Sequence, residues 1–344
     1  MVETPTVTAV PTAVLARRTL WLLVGVGVLA TVCVLSLMIG ARDIPVGTAW
    51  DALWHFDGSD EQVVVRNLRL PRTVLAVIVG AALGVSGALI QAMTRNPLAD
   101  PGILGVNAGA GFFVALGVAV FGLTSVWSYV WFAFLGAAVV TVAVYALGSL
   151  GRGGATPIRL TLAGVALGAV LSGVTMGLML LDPKTFDQMR FWNAGSVEGR
   201  GLEIVWPVSL FIVVGLVLAM AVARPLNALA LGEDLARTLG TDIVRTRVAA
   251  VAAVTLLCGA ATAAAGPIGF VGLMIPHVAR WIVGPDQRWI LPYSMVFAPI
   301  LLLVADIVGR LVVRPDELAV GIVTAFVGAP VLIALIRRKK VSGL

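Results

Sequence analysis

RNLRLPRT, residues 66–73, sets Arg66, Arg69 and Arg72 at the mouth of TVLAVIVGAALGVSGALI, an apolar run long enough to cross a bilayer. Guanidinium groups pair with carboxylates, so the chemistry offered is charge recognition rather than bond making. Three cations beside a membrane helix normally mark its cytoplasmic end. The segment just ahead, DALWHFDGSDEQ, carries four carboxylates and no cation. The rest of the chain has to decide on which side these arginines lie.

Asp306, in LLLVADIVGR, is the clearest ionisable residue within an apolar run and stands four residues ahead of Arg310. The acid-first i, i+4 order permits an intrahelical ion pair, offsetting part of a burial cost of roughly 2.5–3.5 kcal/mol per charge. A proton-coupled carrier would line its core with several such groups, and a single partnered carboxylate disfavours that mechanism. His277, three residues before Arg280, reads as a structural hydrogen bond at a helix end, and His55 lacks ligand-like spacing. Cys33 and Cys258 fall inside apolar runs, so neither a disulfide framework nor a metal set is indicated. A phosphate-binding loop needs GxxxxGK[ST], but the one lysine followed by Ser or Thr, Lys184, has Pro183 where glycine should be. Catalytic residues and cofactors are therefore not expected in this chain. If ATP drives it, ATP and magnesium bind a separate ATPase.

The elements that position these groups are membrane helices. Of 344 residues, 59% are hydrophobic and 12% charged, with mean hydropathy +1.01, which excludes a soluble domain and makes the net charge of +6 a membrane-edge feature rather than a nucleic-acid signal. Apolar runs predict an all-α, polytopic chain with spans near 19–41, 71–92, 103–123, 129–150, 160–181, 204–223, 248–265, 267–283, 293–311 and 319–336. The seventh and eighth nearly fuse, with GPIG at 266–269 as a tight turn. The basic first flank, Arg17-Arg18, precedes a core too long for a signal peptide, so the first helix is read as retained.

Both ends are basic, which favours an even number of crossings with both termini cytoplasmic, including a tail at 1–18. That parity puts 15 of the 24 cations inside and 12 of the 18 carboxylates outside. RNLRLPRT then lies outside. Gly80, Gly84, Gly87 and Gln91 recur on one face of the second span, and Gly164, Gly168 and Ser172 on one face of the fifth. The glycines read as close helix packing, and Gln91 and Ser172 as candidates for a translocation path. Inside, RPLNALALGEDLARTLGTDIVRTR (224–247) alternates Leu226, Leu229, Leu231, Leu235 and Leu239 with polar residues. Broken by Gly232 and Gly240, it predicts two short surface helices.

Five collinear blocks carry a family resemblance: RLPRTVLAVIVGAALGVSGALIQAMTRNPLADPGILGVNAGAG (69–111), RFWNAGS (190–196), LALGEDLARTLG (229–240), GPIGFVGLMIPHVAR (266–280), and LLLVADIVGR with ELAVGIVTAFVGAP (301–330). The chain resembles the permeases of bacterial ABC importers for iron–siderophores, haem and cobalamin. The resemblance implies the type II importer permease fold, one permease domain over 1–344 in the bacterial cytoplasmic membrane, and cargo that is a ferric siderophore or, alternatively, haem or cobalamin. It implies a second permease subunit, identical or related, two cytoplasmic ATPases, and an extracytoplasmic substrate-binding protein.

By the same likeness Arg69, Arg72 and Arg310 dock acidic residues of the binding protein. Leu231, Gly232, Glu233, Asp234, Ala236, Leu239 and Gly240 form the ATPase coupling loop. Asn96, Pro97 and Thr161 lie near the inner gate. Ala319 departs from the proline common in relatives, so the start of the last helix is expected to differ near Glu317.

Overall fold

The computed structural model describes residues 12–40, 43–150 and 156–337. Residues 1–11, Arg42, Arg152, Arg338, Lys339 and Lys340 lie outside the described residues. Helix α1 (Thr12–Met38) leads to two short helices, α2 (Val46–Trp54) and α3 (Asp60–Val64), which a π-helical turn (Val65–Arg69) joins to α4 (Leu70–Thr94). A 3-10 turn at Pro101–Leu104 precedes α5 (Val106–Phe121), followed by α6 (Val126–Ser149), α7 (Pro157–Leu181) and α8 (Pro183–Ala194). Then come α9 (Leu202–Ala230), α10 (Glu233–Thr238), α11 (Ile243–Ala265), α12 (Val271–Val283), α13 (Gln287–Val312) and α14 (Val320–Arg337).

Among the described residues seven helices are long and apolar enough to span a membrane. The shorter apolar α5, α12 and α14 complete the ten that hydropathy anticipates. At 1.5 Å per residue the 13-residue α12 covers only about 20 Å. The non-helical link at 266–270 precedes it, and such backbone survives at membrane depth only inside protein or beside a water-filled cavity. Ser196 N–H donates to Ala265 O at 2.7 Å, and Gly321 N–H to Gly195 O at 2.9 Å. Two irregular segments and the head of α14 thus satisfy one another.

Helix α4 is the hub, packed on α13, α11, α12 and α9. A Cβ on Gly80 would come within 2.6 Å of Pro299 Cα, one on Gly84 within 2.7 Å of Ser294 O, and one on Gly87 within 1.9 Å of Gly272 O. Helices touch backbone to backbone there, which replaces the hydrophobic drive that lipid cannot supply. Gly164 meets Ile103 O in the same way, whereas Gly168 has only an ordinary contact with Ala108.

The loop at 224–247 differs from the two helices expected. Arg224 to Ala230 continue α9, because Leu226 and Leu229 still have a buried apolar side to pack. Asn227 is tied down by Asp286 at 2.6 Å and by the Gln287 N–H at 2.8 Å. Gly232, at φ 118°, ends the run, and a single short helix, α10, follows. Helix α8, on the side opposite α10, carries no span-like hydropathy and is not anticipated by it. It begins where Asp182 caps the N–H groups of Lys184 and Thr185.

Candidate functional site

The arginine-rich rim is built around the end of α1. The last carbonyls of any helix lack intrahelical donors and carry the negative end of the helix dipole. Here three guanidiniums supply the missing donors. Arg69 reaches Leu37 O at 2.9 Å and Met38 O at 2.6 Å. Arg310 reaches Ser36 O at 2.9 Å and Ile39 O at 2.8 Å, and Arg314 reaches Gly40 O at 2.7 Å. Five consecutive carbonyls are satisfied by cations from three other segments. The π turn sits just before α4 and takes more residues per turn than an α-helix; Arg69 at its end reaches α1 while Arg72, one turn on, faces α13.

Arg72 meets Asp306 through Nε at 3.0 Å and Nη2 at 2.7 Å, and its Nη1 is held by Glu317. Asp306 also accepts from Arg310 at 2.7 Å, so one buried carboxylate serves two guanidiniums. Ser36 and Thr73 hydroxyls meet at 2.9 Å and close the cluster. Arg69, Arg72 and Arg310 are 7%, 8% and 2% exposed. Residues expected to wait in the open for a partner are therefore largely enclosed, with their heads bonded within the chain. Arg66 lies over the Phe56 ring at 4.7 Å.

A cavity of about 500 Å³ opens beside this cluster, lined by Arg69, Arg72, Arg310 and Glu317 together with Glu198 and Arg200. Burial and the neighbouring Glu317 carboxylate push the Glu198 carboxyl above its usual range. Arg200 donates to Ala264 O at 3.0 Å and Tyr129 Oη at 3.3 Å. The Arg310 Nε is buried with no partner among the described residues. Four guanidiniums against two carboxylates leave the cavity cationic, the sign that attracts an acidic surface. Arg200 and Glu198 were missed in the sequence, where the only signal is a charged, glycine-spaced EGRG.

At the opposite end of the bundle, α10 buries Ala236 and leaves Leu231, Leu235 and Leu239 exposed, with Asp234 in the open. Glu233 ties α10 to α11 through Arg247 at 2.5 Å, and Gly232 and Gly240 take positive φ at its two ends. Three exposed leucines on one short helix and its flanks form an apolar knob with charged neighbours.

The expected path and gate residues scatter. Gln91 is fully buried. It donates to Leu273 O at 3.1 Å and accepts from Arg280, so it locks α4 to α12 rather than lining an open path. Ser172 lies exposed on α7, the least buried of the long helices. Asn96 closes a turn on the Leu98 N–H at 2.9 Å beside Pro97, and Thr161 bonds its own helix at Pro157 O. The His277 ring stands edge-on to Trp281 at 5.0 Å, and among the described residues its Nδ1 lacks the hydrogen bond expected of a structural histidine. Among the described residues no group of His, Cys, Asp and Glu could hold a metal ion.

Residues 28–338 match the model of the FecCD transport family. The chain is 50% identical over 309 residues to the ferric enterobactin transport system permease protein FepD of Escherichia coli (strain K12), covering 90% of this chain and 92% of that one. It is 40% identical over 320 residues to the iron(3+)-hydroxamate import system permease protein FhuB of Bacillus subtilis (strain 168), covering 93% and 83%. A solved inward-facing conformation of a metal-chelate type ABC transporter superposes with a TM-score of 0.81 at 28% identity, covering 92% of this chain and 98% of that one.

Proposed function

The chain belongs to the FecCD transport family, and from that premise we propose that it is the permease subunit of an ATP-driven importer carrying a ferric siderophore across the bacterial cytoplasmic membrane. The observation that carries the cargo is half-identity, over nine-tenths of the chain, to a ferric enterobactin permease. The partners follow from the two ends of the bundle. The cationic cavity at the α1–α4–α13 rim suits an acidic, extracytoplasmic binding protein, with charge supplying steering and register. The leucine knob on α10 suits a separate cytoplasmic ATPase, whose closure would be felt through Glu233 and Arg247. A second permease subunit completes the path. In this orientation both termini are cytoplasmic.

Uptake into vesicles reconstituted with candidate partners tests the reading. Labelled ferric siderophore is expected to enter only with ATP and the binding protein. Entry of haem or cobalamin instead changes the cargo. Entry that persists without ATP and collapses with a protonophore overturns the class.

A further inference from the structure

Between α6 and α11 runs a groove that none of the described residues fills. On α6 it is faced by Ala138, Thr141 and Tyr145, and on α11 by Val248, Ala252 and Thr255, all at helical spacing. The two alanines create the furrow, a volume of about 360 Å³. Its threonines make no demand for water, since Thr141 bonds Ala137 O at 2.8 Å and Thr255 bonds Val251 O at 2.8 Å. The furrow is thus dry in character.

Toward the α10 end the same groove opens, through the shared walls Tyr145 and Val248, into a cavity of about 720 Å³ that has charged residues among its walls. From Ala138 to Ser149, at the cavity floor, is 11 residues, about 16 Å of helix. That is close to half of a ~30 Å hydrocarbon core, the depth of one leaflet. The cavity holds both signs of charge. Arg247 is 2.5 Å from Glu233, and Arg237 lies 3.6 Å from the same carboxylate. Asp242, paired with Arg245 at 3.1 Å, forms another wall.

We propose that this α6–α11 slot is a phospholipid site, holding one acyl chain in the furrow and a zwitterionic ethanolamine-phosphate head in the cavity. The phosphate meets Arg237 and Arg247, and the ammonium meets the Glu233 and Asp242 carboxylates. The arginines and carboxylates already balance one another here, so an anionic head would add uncompensated charge whereas a zwitterion adds none and offers a partner to each sign, which selects the zwitterion. The site brings lipid against the strut between α10 and α11, where the coupling surface is anchored. The choice of leaflet rests on the orientation proposed above; the lipid itself does not.

The test is native mass spectrometry of the assembled importer released from bilayers of mixed phosphatidylethanolamine and phosphatidylglycerol. One phosphatidylethanolamine per permease is expected to survive release. The pair Ala138→Leu with Ala252→Leu fills the furrow and should abolish its retention. Arg247→Gln leaves the furrow open and should weaken retention about tenfold, the equivalent of one charged hydrogen bond. Retention unchanged in both variants overturns the site, and preferential retention of phosphatidylglycerol overturns the headgroup assignment. Loss of the ATPase from the furrow variant, with lipid still bound, gives the slot to protein contact instead. Impermeant labelling of either terminus reports orientation separately.

Discussion

Asp306 and Arg310, one helical turn apart on α13, meet at 2.7 Å with side chains 1% and 2% exposed, and the other oxygen of Asp306 holds Arg72 from α4. This one carboxylate compensates two enclosed cations at once, with Glu317 helping Arg72 and the Ser36 and Ile39 carbonyls helping Arg310. Removing one partner of a buried pair leaves an uncompensated charge, which costs far more than the pair contributes.

Asp306→Asn, nearly isosteric, is accordingly expected to destabilise the permease by about 3–5 kcal/mol. Thermal unfolding of the detergent-solubilised complex should show a clear drop, while Asp316→Asn, on the exposed loop beyond α13, should not. Equal melting of the two variants would remove the buried network from the account.

The docking proposed at the rim has to reckon with Glu317, which occupies Arg72 from within the chain. Reversing the charge of Arg72 confounds docking with folding. Glu317→Gln is expected to release that nitrogen and tighten binding-protein association by up to about tenfold, equivalent to about 1.4 kcal/mol. Arg69→Gln should weaken it. Titration of the binding protein onto nanodisc-held permease at two salt concentrations reads both, and unchanged affinity in the two variants takes these residues out of the docking surface.

Leu235 and Leu239 are exposed in this chain, so Leu235→Ser with Leu239→Ser should shift stability by no more than about 0.5 kcal/mol. Copurification with the ATPase should fall sharply. A variant that keeps the ATPase but loses ATP-coupled uptake would move the role of these leucines from assembly to transmission.

Gly87→Ala and Gly173→Ala are the same chemical change in different settings. The first drives a methyl to within 1.9 Å of Gly272 O, a backbone atom that cannot step aside, while the second meets nothing within 4 Å. Gly87→Ala should cost several kcal/mol, on the order of other overpacked cores. Gly173→Ala should fold normally. Expression yield and melting temperature compared side by side check this.

Acid should loosen the loop between α12 and α13. Burial would raise the Asp286 carboxyl, but hydrogen bonds from Arg288 and Asn227 outweigh it and hold it below the usual range. A depressed folded value means its stabilisation is complete above the ordinary aspartate value of about 3.9 and is lost as pH falls through the folded one. Asp286→Asn should flatten the melting profile below about pH 4 while lowering it at neutral pH. An unchanged acid limb counts against the Asn227–Asp286 tie.

The ten apolar helices and the break at GPIG were legible from hydropathy, because transfer into lipid is a sum over neighbours along the chain; the span expected at 267–283 is shorter in the structure, with α12 starting only at Val271. The close approach at Gly80, Gly84 and Gly87 was legible too, since four-residue spacing fixes a face wherever the helix goes. The Asp306–Arg310 pair needed only one turn of helix.

What no local reading could supply were partners hundreds of residues away. Arg310 finds the Ser36 carbonyl 274 positions back, and Arg72 finds Glu317 245 positions on. Arginines look alike in sequence whether they face solvent or cap a helix, and Gln91 looks alike whether it lines a path or locks α12. Composition and periodicity by themselves set the membrane class, the number of apolar spans and the close-packed face of α4. Only the packed bundle decided which charge answers which, because desolvation and Coulomb attraction depend on distances in space that sequence separation does not encode.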